Sequence, residues 1–167
     1  MIEMKVAGIA LEAATKSPLV LLRDASERRQ LPIYIGPDQA RAIVSVLEDQ
    51  TPPRPATHDL MANMLSELDV TIERVVIHSL QENTFFAIIT IRQGETRKNI
   101  DARPSDAIAL ALRTRSPIWV MEEVIADASI PVDRDADEAE QQAFRDFLAT
   151  LNPSDFAQQG RSPSGES

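Results

Sequence analysis

Three strand-like runs separated by two very short turns occupy the middle of the chain, and they settle more of its fold than any other feature. Val70 to Leu80 and Thr84 to Arg92 are rich in Val, Ile and Thr, Thr96 to Ala102 is more polar, and the breaks between them are Gln81-Glu82-Asn83 and Gln93-Gly94. Turns this short connect only antiparallel neighbours, so the three runs are expected to form a meander. A sheet of that kind needs apolar helices to cover it.

The flanking segments supply them. Ile2 to Ala14, Leu19 to Leu22 and Leu31 to Ile35 read as a second meander, which Gly36-Pro37 ends by starting a helix. That helix carries Ala40, Ile43, Val44 and Leu47 at i, i+3, i+4 and i+7, a single buried stripe. Thr51-Pro52-Pro53-Arg54-Pro55 cannot be helical. It leads to Thr57, the expected cap of a second helix with Leu60, Met61, Met64, Leu65 and Leu68 on one side. After the central meander, Ser105 is expected to cap a helix through Ile108, Ala109 and Leu112 to about Arg113; Pro117 to Val120 is a short strand, with a helical turn through Val124.

The expected fold class is α+β: a mixed, mostly antiparallel sheet with packed helices and a C-terminal amphipathic helix. That last helix carries Phe144, Phe147, Leu148 and Leu151. The organisation expected is one core domain over 1–130, an acidic segment and helix over 131–157, and a disordered tail over 158–167, where Gly, Ser and Pro dominate.

Charge is unevenly spread. Up to Val120 there are 14 Lys+Arg against 15 Asp+Glu, and from Met121 onward 3 against 11, so the net charge of −9 resides almost wholly in the tail. Within the neutral body, Arg92, Arg97, Lys98, Arg103, Arg113 and Arg115 outnumber Glu95, Asp101 and Asp106. Phosphate contact is therefore not excluded by the overall acidity. The absence of cysteine rules out disulfides, thiolate zinc sites and a cysteine nucleophile. No secretory signal and no apolar run of about 18 residues is visible, so a cytoplasmic protein without a membrane span is expected.

Two segments share one design, an Arg-Pro turn running into a helix with carboxylates at the junction. They are Arg54-Pro55-Ala56-Thr57-His58-Asp59-Leu60 and Asp101-Ala102-Arg103-Pro104-Ser105-Asp106-Ala107. First-turn acids and hydroxyl caps are what stable helices want, and the arginines can serve simply as their ion-pair partners. If the two segments converge, His58, Asp59, Asp101 and Asp106 become candidate catalytic residues in one cleft. Asp59, Asp101 and Asp106 would then hold a divalent cation, Mg or Mn, that activates water for phosphodiester hydrolysis. Arg54 and Arg103 would grip phosphate oxygens bidentately. His78 reads as a strand residue and Arg97-Lys98 as a solvated strand end; no P-loop, nucleophile elbow or dinucleotide fingerprint is present.

Leu31-Pro32-Ile33-Tyr34-Ile35-Gly36, both Arg-Pro motifs and Asn83-Thr84-Phe85-Phe86-Ala87 occur in an order that resembles the bifunctional nuclease domain family, over roughly Met1 to Ile130. Gln39 stands where members often carry Glu, and Phe86 where many have Tyr. The resemblance implies an α+β fold, self-association, and nucleic acid, both DNA and RNA, as substrate; the uncovered edges of the short apolar strands point the same way, to a dimer before a trimer. Arg54, Thr57, His58, Asp59, Asp101, Arg103, Ser105 and Asp106 match the family pattern position by position, and Arg54, Thr57, Arg103 and Ser105 are expected to bind substrate beside the four candidate catalytic residues.

Overall fold

A computed structural model describes residues 1–132 and, beyond them, the helical residues 139, 142–143, 145–147 and 149–150. Of the expected C-terminal helix only Phe147 of its stripe is among the described residues, half-buried; Phe144, Leu148, Leu151 and the tail over 158–167 lie outside them.

The expected α+β fold is present. β1 (Ile2–Leu11), β2 (Pro18–Asp24) and β3 (Arg29–Tyr34) form the first antiparallel meander, and β4 (Thr71–Gln81), β5 (Thr84–Gln93) and β6 (Thr96–Ala102) the second. Each meander alone has bare edges. They are joined by β7 (Ile118–Val120), antiparallel to β1 and parallel to β4, and a two-residue β8 (Ile130–Pro131) finishes the far edge beside β3. The single sheet runs β6-β5-β4-β7-β1-β2-β3-β8.

α1 (Pro37–Leu47) and α3 (Pro104–Thr114) pack on one another and on the sheet, α1 over β1 and β2, α3 over β4 and β5. α1 buries Ala40, Ile43 and Val44, the stripe its spacing predicts. α3 buries every residue from Ala107 to Ala111 because helix and sheet both press on it. α4 (Glu122–Ala128) touches both β4 and β3, strands four places apart in the order, so the sheet curls around it and its Val124 and Ile125 join the core. Val20, Leu21 and Leu22 are consecutive and all buried, which places cover on both faces of β2.

α2 (Thr57–Glu67) departs from expectation. Its apolar residues were expected to form a buried side, yet Leu60, Met61, Met64 and Leu68 are 42–60% exposed and His58 alone is buried. The reason is its position: α2 lies outside α3 rather than on the sheet, so only a narrow strip through His58, Asp59, Ala62 and Leu65 is covered. The caps also differ. Ala56 and Arg103, not Thr57 and Ser105, are the extended N-cap residues; Thr57 opens α2, and Pro104 and Ser105 are the first two residues of α3. Proline at the first helical position forces the residue before it into extended backbone, which moves the cap to Arg103.

Candidate functional site

The N-terminal turns of α2 and α3 meet. His58 is the second residue of its helix and Asp106 the third of its own, and their side chains touch across 48 residues of sequence: His58 Nε2 lies 2.9 Å from Asp106 Oδ1. The other oxygen of Asp106 accepts from Arg103, at 2.8 Å from Nε and 2.7 Å from its terminal nitrogen. One carboxylate thus sits between an imidazole and a guanidinium. The imidazole is 10% exposed, the carboxylate 27% and the guanidinium 67%, so the cluster grades from core to solvent.

Asp59, the neighbour of His58, goes elsewhere. Its Oδ1 accepts from Arg113 Nε at 2.7 Å and its Oδ2 from the Ala56 backbone N–H at 3.0 Å, the acidic half of a capping box. Arg113 also donates to the Ala109 carbonyl at 2.9 Å and to Ser45 Oγ of α1 at 3.3 Å, with its side chain only 6% exposed. Asp106 and Arg113 are seven residues apart on one face of α3, about 10 Å along its axis. His58 and Asp59 therefore grip opposite ends of that face, and the tie at Arg113 joins three helices. Sequence reasoning missed Arg113 and Ser45. For Arg113 the signal was the i, i+7 spacing of an acid and a base on α3, matched by the adjacent base and acid on α2; Ser45, on α1, carried none.

Asp101 does not join them. It stands opposite Ile88 in the β5–β6 pairing, while Ala102 stands opposite Ala87, which is fully buried in the core. Strand alternation puts Asp101 on the reverse face of the sheet, and its side chain is exposed. The convergence expected of the two Arg-Pro segments is thus realised for His58, Asp106 and Arg103, and not for Asp59 or Asp101. Arg54 and Thr57 are exposed at the start of α2, and Ser105 is 8% exposed.

The carboxylates expected to hold a divalent cation are engaged with protein donors in this arrangement. Among the described residues no three His, Asp or Glu side chains gather closely enough to ligate one ion. Both oxygens of Asp59 and both of Asp106 already accept hydrogen bonds from protein donors, three of the four being paired with an arginine or the histidine. Two open hollows lie apart from the cluster, one between α2 and β4 lined by Leu65, Val70 and Ile72, the other beside β1 lined by Lys5, Leu112 and Arg115.

Fold and geometry together define an α+β domain whose distinguishing centre is two helix N-termini locked through a histidine, an aspartate and an arginine. Over residues 20–133 the chain matches the bifunctional nuclease domain, and it belongs to that family. Two proteins from strains of Mycobacterium tuberculosis, each named only as an uncharacterized protein, MT1877 and Rv1829, are 38% identical to it over 162 residues, spanning 92% of this chain and 97% of theirs. No helix among the described residues is long and apolar enough to cross a membrane.

Proposed function

We propose that this chain is a cytoplasmic nuclease that hydrolyses phosphodiester bonds of DNA and RNA at the His58–Asp106–Arg103 cluster. The observation that supports it is the Asp106 carboxylate holding both the imidazole and the guanidinium at paired helix starts. With Asp106 accepting from Nε2–H, the ring is fixed as the tautomer whose Nδ1 is free of its proton. Nδ1 takes a proton from the attacking oxygen, a water on DNA or the 2′-hydroxyl on RNA, as that oxygen bonds to phosphorus and the P–O5′ bond breaks; the departing 5′ oxygen takes its proton from solvent, and the cyclic phosphate left on RNA is opened by water in a second step. Arg103 donates its outward N–H groups to the phosphate, and the exposed Arg54 holds a neighbouring one. The first-turn backbone N–H groups around Thr57 and Ser105 add partial positive charge where the phosphate oxygens would sit. Asp59 acts in this scheme through Arg113, by setting the angle of α2.

The test is a cleavage assay on highly purified protein with His58→Ala and Asp106→Asn, each checked for folding by circular dichroism. Each variant should lose cleavage of at least about a hundredfold, the usual weight of a positioned acid–base group. Full activity in both folded variants would assign the cleavage to a contaminant and end the proposal. Chelation followed by titration with Mg or Mn shows whether those carboxylates exchange partners for a cation.

A second reading is a non-catalytic, self-associating interaction module. It is favoured by the fully engaged carboxylates and by the apolar side chains that α2 leaves exposed. The same assay separates the two, since a module of this kind shows no cleavage that His58→Ala can remove.

A further inference from the structure

Met4, Val75, Ile77, Ala87, Ile89 and Val120 point to one side of the sheet and share a core cluster with the buried residues of α1, α3 and α4. Alternation sends their chain neighbours the other way. On that reverse side the strand pairings align Glu3, Trp119, Val76, Ile88 and Asp101 in one row across β1, β7, β4, β5 and β6. The three helices that touch the sheet put their buried residues into the core cluster, so this row lies on the uncovered face. Trp119, Val76 and Ile88 are each half-buried, an apolar strip partly open to solvent, and Trp119 is the one tryptophan of the chain.

The next row carries positive charge. Lys5 follows Glu3 on the same side of β1, and Arg74, opposite Thr90, precedes Val76 on the same side of β4. Both are exposed, and neither makes an ion pair among the described residues. They flank β7 at about two strand spacings, roughly 10 Å. One row further, Arg92 reaches the same face, where it shares Glu73 with Arg97. The two acids of the apolar row, Glu3 and Asp101, stand at its ends. A polyanion on this face is therefore drawn to the Lys5–Arg74 side and kept from both ends of the row.

An apolar strip with an aromatic ring and a cationic border suits a single strand of nucleic acid, whose bases stack on the ring while its phosphates follow the cations. A duplex turns its bases inward and gains only the charge. We infer that a single strand of DNA or RNA lies across the helix-free face, with a base on Trp119 and its phosphates on Lys5 and Arg74. This deepens the nuclease reading proposed above and rests on it for the class of ligand. The row ends at Asp101, close in sequence to Arg103, on the last strand at that end of the sheet. Trp119 lies about three strand spacings, roughly 14 Å, from that edge. A strand held on Trp119 thus passes over the rim of the sheet toward the His58–Asp106–Arg103 cluster.

Because Trp119 is alone, its emission reports on this face. The full chain carrying His58→Ala, which removes cleavage on the reading above, is titrated with oligothymidylate of about ten nucleotides and with a duplex of equal length. The single strand should quench the emission saturably and bind about tenfold or more tighter than the duplex. In anisotropy with the labelled strand, Lys5→Gln and Arg74→Gln should each weaken binding about threefold or more and lower the salt slope by about 0.7. Trp119→Ala should weaken it about tenfold or more, whereas Trp119→Phe, which keeps a stacking ring and fills most of the space, should stay within about threefold of the parent. Absence of binding, emission that stays unchanged on binding, or equal affinity for the duplex overturns the proposal. Cleavage by the parent that His58→Ala abolishes, with unaltered binding in the Lys5 and Arg74 variants, removes this face and leaves the nuclease reading standing. Quenching by the single strand without any cleavage by the parent keeps the face and removes the nuclease reading.

Discussion

Removing the Arg113 guanidinium tests the architecture beneath the site more sharply than any change in the site itself. Arg113→Met keeps most of the buried stem and deletes the donors to Asp59, Ala109 and Ser45. Breaking a buried pair by deleting one partner costs about 3–5 kcal/mol, because the remaining charge is stranded. Asp59 is 28% exposed and recovers part of that from water, and its second oxygen keeps the Ala56 N–H. The expected loss is therefore about 2–4 kcal/mol. For a domain of this size that lowers Tm by roughly 6–14 °C. Urea unfolding with an unchanged m-value should report the same loss. A double-mutant cycle with Asp59→Asn should show coupling of about 1–3 kcal/mol. A loss below about 0.5 kcal/mol, or strictly additive variants, would mean the three helices do not depend on this tie, and the account of how α2 is oriented would be wrong.

Three further outcomes follow from the geometry. Tyr34 is the one tyrosine, and its hydrogen bond to the Glu12 carboxylate, with some desolvation, raises its pKa above the ordinary 10.0. The neutral phenol is the form the fold prefers, so this contribution is present below pH 10.0 and is lost as pH rises through the folded value. Ultraviolet titration should show the shift, and Glu12→Gln should move the midpoint back down. Asp24 is lowered below its ordinary 3.8, chiefly by the Ser26 hydroxyl at 2.7 Å and also by the Arg28 and Arg29 backbone N–H groups. Its contribution is present above 3.8 and disappears as pH falls through the lowered value, so acid unfolding of Asp24→Asn should be shallower below pH 3.8 than that of the parent. Met64→Glu, on a side chain 56% exposed, should leave Tm within about 2 °C and, on the self-associating reading, weaken association in sedimentation. An unaltered sedimentation profile would take the exposed side of α2 out of that reading.

Periodicity read the strands and helices well because each rests on local rules. β6 begins and ends at Thr96 and Ala102, where Gln93-Gly94 and Arg103-Pro104 bracket it. α1 buries the stripe its spacing marks. Reading failed where a neighbour decides the outcome. α2 has as clear an apolar side as α1, but which side is covered depends on α3, which enters the chain after three intervening strands. β8 pairs through two residues, too few to carry a pattern. Within the site, the Arg-Pro motifs marked His58, Asp106 and Arg103 through local composition. Asp101 was grouped with Asp106 by closeness in sequence, but the strand ends between them and alternation sends it to the reverse face. Arg113 read only as one cation of a locally positive stretch and the approximate end of a helix; the arrival of α1 and α2 makes it a buried tie.

The strand joining the two meanders is three residues long and comes late, at Ile118–Val120. Everything on its N-terminal side can leave a ribosome as two three-stranded meanders with their inner edges unpaired, bridged only by the packing of α1 on α3. Closure waits for a parallel seam in which Val75 finds Ile118 across 43 residues, and the loop that must be drawn in includes β5, β6 and α3. Assembly of the whole is then governed by a late, non-local step. Until it is taken, the unsealed flanks of β1 and β4 are the places where a nascent chain of this kind would misjoin with a neighbour.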